Sequence, residues 1–141
     1  MSLRVLNPPG WPTPKGYVNG IAARGGETVF VAGQIGWARD QRFETDDFVG
    51  QLRQALMNTV DVLAAAGAEP RHIVRMTWYV TDKREYLSRL AEIGRCYREI
   101  IGRHFVAMTL VQVVALVEDR AKLEIETTAV VPDLETTPSG S

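Results

Sequence analysis

One apolar segment, residues 107–131, constrains the fold of this chain more than any other. It reads AMTLVQVVALVEDRAKLEIETTAVV, and its many β-branched residues and few breakers are typical of strands. The charged run at residues 118–120 predicts a tight turn between two long strands. In the second strand one face carries Leu123, Ile125, Thr127 and Ala129, and the other carries Lys122, Glu124, Glu126 and Thr128. This period of two predicts a strand with one side on a core.

The first strand of this segment is apolar on both faces. One face has Met108, Leu110, Val114 and Leu116, and the other has Ala107, Val111, Val113 and Ala115. A helical layer on one side would cover only one of these faces. The pattern therefore predicts that a second subunit covers the other face.

Composition places the chain among ordinary globular proteins. It has 141 residues, 45% of them hydrophobic and 23% charged, with a formal net charge of −1. We expect a single domain over residues 1–132 and a disordered polar tail over residues 133–141. The sequence has no basic stripe, so a nucleic-acid partner is not expected. No apolar run approaches the ~20 residues that span a bilayer, and no signal-peptide pattern is present, so a cytoplasmic location without membrane contact is expected.

The residues that commonly bind metals are sparse. Cys96 is the single cysteine, and His72 and His104 are not in a metal-ligand spacing. Neither a metal nor another cofactor is expected. Cys96 lies in the middle of a predicted helix with no base beside it in sequence, which favours a small core residue.

The remaining elements follow from periodicity and breakers. Strands are predicted at residues 3–6, 17–23, 28–35 and 72–81, the second and third forming a hairpin through Gly25 and Gly26. A helix begins near Asp46 and ends at Gly67, with Gln51, Arg53 and Asp61 facing solvent. A capping box of Asp82 and Glu85 begins a second helix at Lys83, which ends at Gly102. Two helices on one face of a mixed sheet make an α+β two-layer sandwich, and its uncovered face, rich in Val, Met and Leu, predicts association through the sheet.

Four stretches together resemble one known family. They are GYVNG at 16–20, VFVAGQIG at 29–36, AAAGAEPRHIVRMTWYVTD at 64–82 and the closing run at 105–131. Their order and spacing are similar to those of the Rid family of reactive intermediate deaminases, also called YjgF or endoribonuclease L-PSP. The resemblance implies a chorismate-mutase-like fold, with a six-stranded mixed sheet and two helices on one face. It also implies a homotrimer with a central barrel and small-molecule clefts between subunits.

The resemblance also implies site residues. Glu124 matches the glutamate that positions the hydrolytic water, which makes it the candidate catalytic residue. Tyr17, Gly33 and Gln34 match substrate-binding positions, and Trp37 either walls the cleft or packs as a loop aromatic. Met108 stands where the family's deaminases carry a carboxylate-binding arginine, and Gly94 stands where an asparagine is common.

The absence of that arginine separates three hypotheses. In the first, the protein binds a small metabolite and lacks efficient activity on 2-aminoacrylate or other imino acids, because a buried carboxylate would have no cation beside it. In the second, it is an imine or enamine deaminase-type hydrolase on a less acidic substrate, with Glu124 activating water. A basic residue from a neighbouring subunit, Arg39 or Arg75, is an alternative source of charge. The third, an endoribonuclease, is disfavoured by the net charge and the scattered aromatics.

Overall fold

The computed structural model describes residues 2–133 and has an α+β fold. Part of the predicted tail, residues 134–141, lies outside the described residues. Six strands form, in order β1 Ser2–Leu6, β2 Gly20–Arg24, β3 Glu27–Ile35, β4 Ile73–Val80, β5 Ala107–Gln112 and β6 Leu123–Val131. Three α-helices are described, α1 Phe48–Ala65, α2 Lys83–Leu87 and α3 Leu90–Ile100. A short 3-10 turn at Pro70–His72 precedes β4.

The strands form two sheets. β1 and β2 make an antiparallel pair, and the other four strands make a mixed sheet in the order β3-β6-β4-β5. β6 is antiparallel to both β3 and β4, and β5 is parallel to β4 at the edge. The mixed sheet was predicted correctly, but the single six-stranded sheet is divided in two. An isolated bridge from Val18 to Ala107 is the link between them among the described residues.

The predicted pairing of the two strands in residues 107–131 is wrong. β5 and β6 are separated by β4, and residues 113–122 form a loop where the first strand was predicted to continue. The predicted turn at residues 118–120 does form, since the Ala121 N–H donates to the Glu118 carbonyl oxygen at 3.0 Å, but it lies within this loop and does not join paired strands. The physical reason is that β6 gains backbone hydrogen bonds on both edges when it lies between β3 and β4. The alternation in β6 was predicted correctly, since Leu123, Ile125, Thr127 and Ala129 are all buried.

The predicted hairpin through Gly25 and Gly26 is also wrong. β2 pairs with β1, whereas β3 pairs with β6. Both glycines have positive φ, at 71° and 84°, so the turn itself forms as expected. The strand predicted at 17–23 begins only at Gly20, which leaves Tyr17 in a bend.

The helices begin and end near their predicted positions. The side chain of Asp47 accepts from the Gly50 N–H at the start of α1, and that of Asp82 accepts from the Arg84 N–H at the start of α2. The predicted capping box requires the Glu85 side chain to accept from the Asp82 N–H. It accepts instead from Lys122 Nζ at 3.3 Å. The predicted second helix is broken between α2 and α3, because Arg89 leaves helical geometry at φ −132°.

A buried glutamine connects α1 to the beginning of β6. Gln51 is fully buried, although the sequence predicted it at the surface. Its Nε2 donates to the carbonyl oxygens of Thr45 and Arg120, and its Oε1 accepts from the Lys122 N–H. These bonds satisfy loop backbone groups that the helix and the sheet leave without partners, and sequence periodicity does not indicate them.

The sheet face opposite the helices differs from its prediction. It was predicted to be rich in Val, Met and Leu, but Met108 and Leu110 pair with the buried Met76 and Trp78 of β4 and therefore face the helices. The face left open is mixed in character, and by register it carries Phe30, Arg75, Thr77, Tyr79, Thr109, Val111, Glu124, Glu126 and Thr128.

We predict that Gln51→Leu lowers the free energy of unfolding by about 1–3 kcal/mol, because it leaves three partly buried backbone groups without partners. Gln54→Leu, on the same helix, is the matched control, since the Gln54 amide donates only to the Asn58 side chain; we expect it to change stability by less than about 1 kcal/mol. Urea unfolding of the two variants measures both effects. Equal stabilities would contradict a structural role for Gln51.

Candidate functional site

Met108 and Glu124 do not lie on adjacent strands, although the predicted pairing of the two strands in residues 107–131 placed them there. Met108 pairs with Met76 of β4, and Glu124 pairs with Tyr79 of the same strand. Side chains three residues apart on a strand point to opposite faces. Met108 therefore lies on the helix side of the sheet, Glu124 lies on the open side, and β4 stands between their strands.

Tyr17 and Met108 belong to the first of two groups, which we term the aromatic pocket. It is a cavity of about 360 Å³ between the sheet edge, the α2–α3 break and the bend that holds Tyr17. Its walls are mainly rings and aliphatic chains, and its lining residues are Lys15, Gly16, Tyr17, Trp78, Tyr86, Leu90, Ile93, Gly94, Tyr97, Arg98, Phe105, Met108 and Leu110. A mostly apolar concavity with a few polar groups is typical of small-molecule sites.

The rings that line the pocket support one another. Tyr97 stacks on Phe105 with centroids 6.2 Å apart and donates its hydroxyl to the His104 carbonyl oxygen at 2.6 Å. Trp78 contacts the edge of Tyr86. Burial raises the pKa of both Tyr86 and Tyr97, so the two phenols stay neutral and act as hydrogen-bonding groups.

Polar atoms at the pocket are few. Trp78 Nε1 is buried and has no hydrogen-bond partner among the described residues. Lys15 and Arg98 are the charged residues of the lining, and no acidic side chain accompanies them there. The pocket wall thus carries a net positive charge of two, although the whole chain has a formal net charge of −1.

The second group, the Gly33–Glu124 cluster, consists of Gly33, Gln34 and Glu124 on the adjacent strands β3 and β6. The β3–β6 register shifts between Val31 and Gln34, which makes an irregularity at Gly33. A Cβ on Gly33 would overlap the Glu124 carboxylate and stand only 2.7 Å from its Cδ. Glycine is therefore required sterically for the glutamate side chain to lie across β3. The structure brings these three predicted site residues together.

Neighbouring groups on the open face are also polar. Tyr79 donates its hydroxyl to Glu126 Oε1 at 2.5 Å, and this bond raises the pKa of Tyr79. Arg75 lines a depression of about 450 Å³ with Phe30, Thr77 and Glu126. Glu124 makes no hydrogen bond or ion pair of its own with the residues that the structure describes, so its carboxylate is available.

Trp37 lies in neither group. Its ring contacts Phe43 with centroids 5.9 Å apart, and its carbonyl oxygen accepts from Asn58 Nδ2 at 2.8 Å. It lines a separate depression with Phe43 and Arg120. Of the two roles that the sequence left open, these contacts are those of a packed loop aromatic.

The other candidates have structural contacts. Cys96 is buried in the core, as predicted, and burial raises the pKa of its thiol. His104 Nε2 lies 2.7 Å from the Ile73 carbonyl oxygen, and His72 Nδ1 accepts from the Glu69 N–H. Across residues 2–133, no three His, Cys, Asp or Glu side chains are grouped so that they could hold a metal ion. No helix in the same range has the length and apolarity to cross a bilayer.

Sequence reasoning missed Arg98 as a pocket residue. It considered Arg39 and Arg75 as replacement cations, but neither lines the aromatic pocket of its own chain. The available signal was the four-residue spacing from Gly94 to Arg98, which places both on one side of a helix. The spacing alone does not indicate that Arg98 lines a pocket. That becomes clear only when the structure shows that α3 forms a wall of the pocket.

We predict that Gly33→Ala lowers the free energy of unfolding by about 1–3 kcal/mol, because the new methyl group overlaps the Glu124 side chain. The double variant Gly33→Ala/Glu124→Ala should recover most of that loss, whereas Glu124→Ala alone should have little effect. A double-mutant cycle by urea unfolding measures the coupling. Additive effects would show that Gly33 and Glu124 are not in steric contact.

Comparison with known proteins agrees with the fold. Residues 12–131 match the family model described as Endoribonuclease L-PSP. The chain is 33% identical to the protein of Escherichia coli (strain K12) named reactive intermediate deaminase TdcF, over 81% of this chain and 85% of TdcF. It is 32% identical to the 2-iminobutanoate/2-iminopropanoate deaminase of Salmonella typhimurium, over 81% of this chain and 86% of that protein.

Solved structures agree as well. A Rid-family protein of unknown function, YyfB from Yersinia pestis, superposes with a TM-score of 0.82 at 30% identity, covering 93% of this chain and all of YyfB. E. coli TdcF with bound serine superposes with a TM-score of 0.64 at 31% identity, covering 91% of this chain and 98% of TdcF. The chain therefore belongs to the Rid family, also described as YjgF or endoribonuclease L-PSP.

Proposed function

We propose that this chain is a small-molecule-binding Rid protein that assembles as a homotrimer and has its ligand clefts between subunits. In each cleft, the aromatic pocket of one subunit faces the Gly33–Glu124 cluster of the next. The protein has little deaminase activity on short imino acids such as 2-aminoacrylate. The observation that carries the proposal is that the predicted site residues other than Trp37 fall into two groups on opposite faces of one sheet.

The separation of the groups favours assembly, because only a second copy can bring them to one ligand. Each chain would present the aromatic pocket to one neighbour and the Gly33–Glu124 cluster to the other. Interfaces of this head-to-tail kind form a ring when the rotation between subunits closes. Relatives in the family add a further argument, since TdcF has been solved with bound serine. A small polar molecule is thus bound by a protein with this fold.

Exposed apolar side chains also favour assembly. Phe30, on the open face, is 79% exposed, and Val114 and Val117, in the loop between β5 and β6, are almost fully exposed. Exposed apolar side chains of this size are typical of protein–protein interfaces. We propose that the open face and this loop are covered in the trimer.

Met108 accounts for weak deamination of short imino acids. A hydrogen bond to a charged group contributes roughly 1.5–3 kcal/mol, so loss of the arginine contact costs about ten- to a hundred-fold in affinity. A thioether is soft and apolar, and it favours a larger or less acidic ligand at this wall. The ring-lined pocket around Met108 agrees with that preference.

A second candidate function is hydrolysis of an imine or enamine that is less acidic than the short imino acids. The observation that favours it is the unpaired carboxylate of Glu124, which lies across Gly33 and can accept a proton from water. In this mechanism Glu124 takes a proton from water, and the water oxygen bonds to an imine carbon held in the neighbour's aromatic pocket. The carbon–nitrogen bond then breaks, the proton returns to the nitrogen, and ammonia leaves as the carbonyl product forms.

We predict that the purified protein has the mass of three chains by size-exclusion chromatography with light scattering. Phe30→Glu should dissociate it, because the substitution places three charges near one another at the open faces. Met57→Glu, at a 46%-exposed methionine on α1, is the control and should leave the mass unchanged. A monomeric wild type, or a trimeric Phe30→Glu variant, would contradict association through the open face.

We predict that kcat/KM on freshly generated 2-iminopropanoate is roughly ten- to a hundred-fold below that of the Salmonella enzyme. Met108→Arg should raise it, and Met108→Leu is the apolar control. Turnover of the wild type near that of the reference enzyme would remove the proposed role of Met108. Glu124→Gln tests the second candidate function. If Glu124 is the general base, this variant should lose its hydrolytic activity and remain a trimer.

A further inference from the structure

We propose that Arg98 binds the anionic group of the ligand in the aromatic pocket, and that the pocket selects carboxylates with an apolar, ring-sized body. The inference rests on the proposed ligand-binding function and adds the class of ligand. Arg98 is a residue of α3, so the cation reaches the ligand from the helix layer and not from a strand.

The charge of the lining is the first support. Lys15 and Arg98 border the pocket, and its remaining lining residues are neutral. Two cations beside an apolar cavity produce a positive potential that low-dielectric walls strengthen. Both side chains are exposed and solvated when no ligand is bound. A cationic ligand would be repelled, and a neutral one would gain nothing from the two charges. An anion satisfies them.

The second support is that Arg98 has no partner. Across the described residues it makes no hydrogen bond or ion pair, as is also true of Arg95 on the same helix, whereas Arg53 on α1 and Arg84 on α2 are each bound to a carboxylate. The guanidinium therefore keeps all its donors available. Its planar fork matches a carboxylate in two parallel bonds, which favours a carboxylate over a more compact acceptor.

Gly94 is the third support, because it makes room for the guanidinium beside the helix. A Cβ on Gly94 would lie 3.1 Å from Arg98 Nη1, closer than ordinary contact. Gly94 and Arg98 are four residues apart and both line the pocket. Glycine at position 94 thus lets the Arg98 head lie against the helix at the pocket wall, where a larger side chain would displace it.

The ligand's body follows from the rest of the wall. Trp78, Tyr97 and Phe105 present ring surfaces, and Met108 and Leu110 supply adaptable apolar contacts. A volume of about 360 Å³ is near the lower limit for small-molecule sites. It suits a single aromatic ring with a short side chain. The carboxylate of such a ligand reaches Arg98 at the exposed rim while the ring fills the interior.

The test compares two probes of the same shape on the intact protein. Phenylacetate carries the carboxylate, and phenylacetamide replaces it with a neutral amide. Isothermal titration calorimetry should show that wild-type protein binds phenylacetate at least ten-fold more tightly than the amide. Arg98→Gln should weaken phenylacetate binding by about ten- to a hundred-fold and leave amide binding unchanged.

Two further variants make the result specific. Arg95→Gln removes a cation from the same helix that does not line the pocket, so phenylacetate binding should stay within two-fold of wild type. Gly94→Ala should displace the guanidinium and weaken phenylacetate binding. Because alanine favours a helix more than glycine does, the Tm of this variant should not fall, which separates displacement from misfolding.

Equal affinities for the two probes, or undiminished phenylacetate binding by Arg98→Gln, would overturn the role of Arg98. In those cases the pocket still binds a ligand and the proposed function stands. Failure of both probes to bind would overturn the ligand class. The trimer mass and the turnover of imino acids are measured separately and decide the proposed function by themselves.

Discussion

The two-sided pairing of β6 is the constraint on which the rest of the structure depends. β6 lies between β3 and β4 and is hydrogen bonded to both, so its alternate side chains enter the core from the middle of the sheet. This arrangement removes β5 to the sheet edge, where it pairs with β4 in parallel. Gln51 secures the beginning of β6 by binding Lys122 N and the Arg120 carbonyl oxygen from α1. The helix layer and the central strand are therefore held in register by hydrogen bonds as well as by apolar packing.

The same pairing divides the candidate site. Because β4 stands between β5 and β6, Met108 faces the helices and Glu124 faces the open side. Each group is built by its own local geometry. The irregularity at Gly33 provides space for the Glu124 side chain, and the α2–α3 break brings Tyr86 and Leu90 to the edge of the aromatic pocket. Two incomplete half-sites on one chain are understandable if a neighbouring copy completes each of them.

The sheet wall of the aromatic pocket is apolar at Met108. The pocket beside Met108 has cations at its rim, Lys15 and Arg98, and rings in its interior. A ligand bound there would be held by its anionic end near the helix and by its apolar body against the sheet. Gly94 and Arg98 are sterically coupled, since a side chain at position 94 would move the Arg98 guanidinium.

The sequence by itself determined the α+β class, the positions of most elements and the family. Strong periodicity in α1 and β6, and glycines at the helix ends, carry that information locally. It also indicated Gly33, Gln34 and Glu124 as candidate site residues, and Gly33 and Glu124 are in close contact. Strand order, the burial of Gln51, the division into two half-sites and the presence of Arg98 in the pocket were decided only by tertiary structure. Alternation shows which residues of a strand share a face, but the neighbour on each edge depends on hydrogen bonds between segments far apart in the chain.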